Sequence, residues 1–337
     1  MKNRSFLVVL CLILTVSGCK KSGRTKYTKE YFGYFDTYSY FSAYCEDKNK
    51  FDTCAAAIDE RLSELNKDFD IYNEYSGVNN LCTVNKKAGI EPVKVSDDII
   101  EIVSEGKKAY EETGGNVNIA FGAVLSVWHE YRERALEDSE KAEIPSLEEL
   151  KKAEKHCSID AIVVDKNAST LYIKEAGCSI DIGALAKGYA AEKAKDIMVS
   201  HGITCGMVSL GGNVVCLSDE EKPNWKIGVE DPFSSDSSQY IHAFEVESGS
   251  AVTSGNYQRY YEYKGKRYSH IIDKDTLFPA EENVSVTIKC QNSLKADIFS
   301  TALYILPYEE GVALAKEQGL EVFWVCNDGS IKKTENF

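Results

Sequence analysis

Four short segments of this chain carry residues able to do chemistry, and each reads two ways. In Ala296-Asp297-Ile298-Phe299-Ser300-Thr301-Ala302, Asp297 and Thr301 stand at i and i+4, so a helix puts them on one face. A carboxylate and a hydroxyl on an otherwise apolar helix are hard oxygen donors. Mg2+ takes such donors while keeping water and substrate phosphates in its shell. The alternative is a capping aspartate and a threonine bonded back to a carbonyl. In Ser179-Ile180-Asp181-Ile182-Gly183-Ala184-Leu185-Ala186-Lys187-Gly188-Tyr189, a strand ending at Asp181 turns through Gly183 into a helix. The N–H groups and positive end of that helix suit phosphate, Lys187 adds a full charge, and Gly188 leaves room for close backbone approach. A plain strand-to-helix turn with a surface lysine fits as well. In Ser209-Leu210-Gly211-Gly212-Asn213, the glycines admit a ligand or simply make a bulge or turn. The fourth segment is Thr253-Ser254-Gly255-Asn256-Tyr257-Gln258-Arg259-Tyr260 followed by Ser269-His270-Ile271-Ile272-Asp273. His270 and Asp273 end a strand there. Histidine is the usual group for proton transfer near neutral pH, though a lone histidine is often structural.

These segments need elements to hold them. Aromatic and hydroxyl residues from Phe32 to Tyr44 read as a strand. Ile58, Leu62 and Leu65 give Phe51 to Asp68 a helical stripe, as Ile99, Ile100, Val103 and Ala109 do for Asp97 to Thr113. The second of these stops at Gly114-Gly115. Further helices are expected over Val124 to Leu136, from Pro145, and over Leu185 to Val199, Lys295 to Ile305 and Tyr308 to Gln318. Strands are expected at Ile159 to Val164, Thr170 to Lys174, Met207 to Leu217, Trp225 to Glu230, Tyr240 to Val246, Tyr257 to Tyr263, Lys266 to Ile272, Val284 to Cys290 and Leu320 to Val325. Hairpins dominate the second half. The expectation is an α+β fold, mostly antiparallel sheet with flanking helices, in one catalytic unit over residues 31–337.

Lys2 and Arg4 precede an apolar run from Phe6 to Val16, which ends in Thr15-Val16-Ser17-Gly18-Cys19. This is the pattern of a lipoprotein signal over residues 1–18, with Cys19 lipidated after cleavage. An ordinary cleaved signal with a chance cysteine is the bland alternative. Residues 19–30 are polar and basic and read as a tether. The expected location is the extracytoplasmic face of the cell membrane, held by lipid, since no second apolar stretch is long enough to span. A net charge of −14 argues against a nucleic-acid binder. Eleven cysteines are present; setting aside Cys11 and Cys19 leaves an odd number, which suits free buried thiols.

From about Phe32 to Leu306 the sequence resembles the ApbE family of FAD:protein FMN transferases. The resemblance rests on the order of its segments: D-x-G-x-x-A-K-G-Y at Asp181 to Tyr189, L-G-G-N at Leu210 to Asn213, Trp225 to Pro232, T-S-G-x-Y-x-R at Thr253 to Arg259, H-I-x-D at His270 to Asp273, Ser285 to Thr287, and A-D-x-x-S-T-A at Ala296 to Ala302. It implies FAD as substrate, Mg2+ as cofactor, and transfer of FMN to a threonine or serine of an acceptor flavoprotein or redox-pump subunit, with release of AMP. By position it implies Ala184 (through its carbonyl), Asp297, Ser300 and Thr301 at the metal. Phe35, Tyr72, Asn116, Val117, Asn118, Asp181, Lys187, Ile271 and Ile272 fall at the flavin nucleotide, and His270 and Asp273 at the chemistry. Four departures stand out: Phe35-Asp36-Thr37 replaces Met-Gly-Thr, Asn118 replaces Asp, Lys274 replaces Pro, and Leu277 stands where Gly is usual. An Mg2+-dependent FAD pyrophosphatase and a flavin-binding lipoprotein without turnover are the competing readings.

Overall fold

The computed structural model describes residues 23–234, 236 and 238–337; the expected leader, the lipidation site Cys19 and the start of the tether lie outside the described residues. Eight strands form one sheet: β1 (Thr25–Tyr34), β2 (Thr37–Cys45), β3 (Gly206–Leu210), β4 (Asn213–Leu217), β5 (Gly249–Gly255), β6 (Asn283–Cys290), β7 (Glu321–Cys326) and β8 (Ile331–Lys333). Their spatial order is their chain order. Every neighbouring pair is antiparallel, so the α+β expectation holds.

Three expectations are corrected. Residues 25–30 are not tether: they pair with β2 from Thr25↔Cys45 to Glu30↔Tyr40, and Tyr31 is buried with its hydroxyl donating to the Ala55 carbonyl at 2.9 Å. The strand expected from Phe32 to Tyr44 is two strands about Phe35-Asp36, both at φ 52°, the backbone of a primed hairpin turn whose twist matches the strands. Likewise Met207 to Leu217 is a hairpin turning at Gly211-Gly212, with φ 53° and 92°.

Side chains alternate across the sheet as the pleat requires. Val208, Val215, Val252, Ile288 and Trp324 face the main core, where three helices cover them: α1 (Lys48–Phe69), α2 (Ala186–Ser200) and α3 (Ser293–Ile305). In α1 the buried residues Cys54, Ile58, Leu62, Leu65 and Phe69 recur at helical spacing, and each large one contributes about 1.5–3 kcal/mol. Asp47 caps its N-terminus by accepting the Asn49 N–H at 2.8 Å. Met207, Cys216, Ala251 and Phe323 face the other way, against the hairpin Trp225–Glu230/Tyr240–Val246. A smaller core gathers Trp128, on the helix Gly122–Glu137, with Leu150, Tyr261, Ile272 and Leu277. Trp128 Nε1 donates to the Leu277 carbonyl at 2.9 Å. The nine cysteines among the described residues are all unpaired, six of them buried.

Candidate active site

A cleft of about 540 Å³ is lined by residues of both cores, a volume in the range that takes a nucleotide-sized ligand. Phe35, Tyr72, Asn116, Val117, Asn118, Asp181, Ala184, Lys187, His270, Ile271, Ile272, Asp297 and Thr301 all line it. They come from six separate stretches of chain. Ser300 and Asp273 do not.

The oxygen face is built where α3 meets the first turn of α2. Asp297 is buried; its Oδ2 accepts the Gly188 N–H at 2.8 Å, and its Oδ1 lies 3.5 Å from Lys187 Nζ. This revises the expectation for the helix end. Gly188 serves helix packing rather than phosphate approach, because a Cβ there would meet the Ser293 carbonyl at 2.5 Å and Asp297 Cβ at 2.7 Å. Its N–H is committed to the carboxylate. The helix has no side-chain cap, and Ala184 to Lys187 remain on the cleft wall. Thr301 Oγ1 donates to the Asp297 carbonyl at 3.2 Å, so the back-bonded alternative is realised while the residue still lines the cleft. Ser300 points into the protein: its Oγ donates to the same carbonyl at 3.0 Å and shares a 2.8 Å bond with Ser254 Oγ. Ser254 is one cleft residue not singled out from the sequence; Arg259, His129 and Arg132 are others. Ser254 lines the cleft on β5 and touches Thr301 Oγ1 at 3.5 Å as well as Ser300.

Opposite stands His270. Its Nδ1 lies 3.2 Å from the Arg259 carbonyl. A carbonyl only accepts, so Nδ1 carries the hydrogen and Nε2 keeps its lone pair. Enclosure by the cleft pushes the imidazole pKa down to about 3, with the positive charges of Arg259, Lys187 and Arg132 adding to it. The ring surface is open to the cleft, so the enclosure effect is full only where water is excluded. The three cations act either way. Arg259 also pins the β1–β2 turn, with Nη2 donating to the carbonyls of Phe35 at 2.9 Å and Asp36 at 3.2 Å. The Phe35 N–H donates to Asn66 Oδ1 at 2.8 Å from the other side.

Asp273, expected at the chemistry, does not line the cleft and shapes the following loop. Its carboxylate accepts the Asp275 N–H at 2.8 Å and the Thr276 hydroxyl at 3.2 Å. Asn118 lines the cleft, but its amide is spent on backbone: Nδ2 donates to the Cys157 carbonyl and Oδ1 accepts the Ala120 N–H, each at 2.9 Å. An aspartate could not make the first bond. Asn116 similarly donates to the Thr113 carbonyl. Asp181 accepts the Gly183 N–H at 2.8 Å, and burial raises its pKa against that bond. Ile271 packs in the main core and Ile272 in the smaller one, joining the two at the cleft. Tyr72 is 56% exposed and stacks on His129 with ring centroids 4.7 Å apart.

The sequence model of the ApbE family matches residues 35–324, a span containing every one of these cleft residues. The chain belongs to the ApbE family. Among curated relatives, the FAD:protein FMN transferase of Treponema pallidum is 29% identical, over 82% of this chain and 79% of its own length. That of Escherichia coli K12 is 28% identical, over 83% of this chain and 80% of its own. The crystal structure of the ApbE protein of Thermotoga maritima superposes with a TM-score of 0.82 at 28% identity, covering 93% of this chain and 98% of that one. The flavin transferase ApbE of Vibrio cholerae shares the fold, with a TM-score of 0.74 at 24% identity. The ApbE fold explains why hairpins dominate the second half of the chain.

Proposed function

We propose that this chain is an Mg2+-dependent FAD:protein FMN transferase, which joins FMN through a phosphoester bond to a threonine or serine of an acceptor flavoprotein and releases AMP. Membership of the ApbE family, with relatives named for this transfer, makes the chain a transferase. The observation that carries the finer reading is one cleft in which the oxygen donors of Asp297 and Thr301 and the cation of Lys187 stand with His270, whose Nε2 holds a free lone pair.

The metal fits the donors. Asp297, Thr301 and the Ala184 carbonyl offer hard oxygens with a single carboxylate, and Mg2+ sites usually pair one or two carboxylates with substrate phosphates. When bound, Mg2+ would offset negative charge on the phosphate oxygens. Ser254 and Ser300 support this face from beneath. Lys187 and Arg259 would hold the diphosphate, and the pinned Phe35-Asp36 turn would form one side of the nucleotide site. The acceptor hydroxyl oxygen forms its new bond to the FMN phosphorus as the bond to the AMP oxygen breaks. Its proton passes to Nε2 of His270, while AMP leaves with the bonding electron pair.

We further propose that the chain works at the extracytoplasmic face of the cell membrane, anchored through lipid on Cys19, where subunits of redox pumps or other flavoproteins would be its acceptors.

The test is incubation of the chain from Lys20 onward with FAD, Mg2+ and an acceptor domain, reading AMP release and acceptor mass. A gain of one FMN that depends on Mg2+ is expected. AMP and free FMN without acceptor labelling would make the chain a pyrophosphatase. Tight FAD binding without either product would make it a flavin carrier.

A further inference from the structure

We infer that His129 is a ligand-contacting residue of the cleft, a neutral imidazole whose Nε2–H donates to an acceptor atom of bound FAD. This rests on the reading of the cleft as an FAD site.

His129 and Arg132 stand one turn apart on the helix Gly122–Glu137, and both line the cleft. Arg132 Nη2 lies 3.0 Å from His129 Nδ1. A guanidinium only donates, so Nδ1 accepts and the ring hydrogen sits on Nε2. The Tyr72 ring fixes the plane of the imidazole, at 4.7 Å and 28°. The guanidinium is itself held by Glu133 Oε1, 3.0 Å from Nη2 and 3.3 Å from Nε. Tautomer and orientation are therefore both set before any ligand enters. No described residue accepts from Nε2.

The charged groups around the ring come from several elements. Arg132, Glu130 and Glu133 lie on its own helix; Asp181 faces it from the segment leading into α2, and Tyr72 from the loop after α1. Burial and Arg132 outweigh the carboxylates and lower the imidazole pKa, so the ring is neutral at physiological pH. The cleft thus holds two neutral imidazoles of opposite tautomer. His270 offers a lone pair at Nε2, and His129 offers an N–H. A donor fixed in advance spends no ordering entropy on binding, which favours a role in affinity and orientation. FAD presents acceptors for it in both halves, among them the diphosphate oxygens and the carbonyl edge of the isoalloxazine.

The experiment measures binding of FAD, riboflavin and ADP by calorimetry to the whole chain and to His129→Phe and His129→Gln. Phe keeps an aromatic ring beside Tyr72 and removes the donor; Gln keeps a donor. For His129→Phe, FAD affinity is expected to fall about three- to tenfold, the size of one lost hydrogen bond, with His129→Gln recovering most of it. Weakening of ADP alone places the contact on the ADP half of FAD, and weakening of riboflavin alone places it on the riboflavin half. In 15N spectra, His129 should be neutral with its hydrogen on Nε2, and that signal should move when FAD is added. Unchanged FAD affinity in a folded His129→Phe chain, or a ring hydrogen on Nδ1, overturns the inference. A wild-type chain that binds no FAD overturns the underlying reading of the cleft instead.

Discussion

Asp297 Oδ2 accepts the backbone N–H of Gly188 at 2.8 Å, so the carboxylate proposed to hold a metal also ties α3 to the first turn of α2. The two duties separate by substitution. Asp297→Asn keeps an oxygen for the Gly188 N–H and should fold nearly as the wild type does. It should lose Mg2+ affinity, because a neutral amide is a poor ligand for a hard dication. Asp297→Ala leaves that buried N–H unpaired and is expected to cost about 1–3 kcal/mol in unfolding as well. Calorimetric Mg2+ titration in the presence of FAD, set beside denaturant unfolding, reads both. Wild-type Mg2+ affinity in Asp297→Asn would reduce Asp297 to a strut.

Gly188→Ala tests the same junction from the other helix. The added methyl would meet the Ser293 carbonyl at 2.5 Å and Asp297 Cβ at 2.7 Å. Backbone cannot yield as a flexible side chain does, so the helices must part. Overpacking of this kind costs about 1–3 kcal/mol, and turnover should fall with stability because Asp297 moves with α3. A variant with wild-type melting temperature would show that the junction is looser than these distances imply.

The legible parts of this molecule are those set by local periodicity. Asp297 and Thr301 share a face because helical spacing requires it. Ser300 was misplaced because sequence alone does not say which flank of that face turns inward; its burial against Ser254 depends on a strand 46 residues away. Ser254 itself sits in Gly-Ser-Ala-Val-Thr-Ser-Gly, a central strand of small residues without alternation of large side chains, and it takes its register from β4 and β6. Residues 25–30 looked like tether because β1 is an edge strand whose only buried side chain is Tyr31. Polar edges guard against aggregation and resemble linkers for the same reason. The roles of Asn118 and Asp273 were hidden differently. Both side chains bond to loop atoms whose positions only the folded chain defines.

Two departures from the family pattern predict stability changes of opposite sign. Asp36 and Leu277 both adopt left-handed backbone, at φ 52° and 64°, where glycine is unstrained. Asp36 is exposed, so Asp36→Gly relieves strain without losing packing and should gain up to about 1 kcal/mol. Leu277 is 2% exposed and packs with Trp128. Leu277→Gly relieves similar strain but opens a cavity that ordinarily costs about 2–5 kcal/mol, and should be net destabilising. Urea unfolding of both variants decides it. A stabilised Leu277→Gly would mean that the smaller core contributes little.

The pH dependence of turnover tests His270 as the base. Enclosure and three cations depress its pKa, so in the free enzyme, whose ring surface is open to the cleft, the imidazole stays neutral to below the ordinary histidine value. The sign follows from the depression. A base must be unprotonated to act, so activity is kept above the folded pKa and lost as pH falls through it. The acid limb of kcat/KM, which reports the free enzyme, should therefore lie well below the ordinary histidine value of about 6.5. Arg259→Gln removes the cation with the largest effect and should move that limb upward. The shift should be partial, because enclosure is the larger cause and remains. Absolute rates will also drop, since Arg259 pins the Phe35-Asp36 turn, but the position of the limb does not depend on them. His270→Gln should lower turnover across the whole range and erase the limb. A wild-type limb near 6.5 that vanishes in His270→Gln would show a ring hydrated as in water, with the cations too well screened to matter.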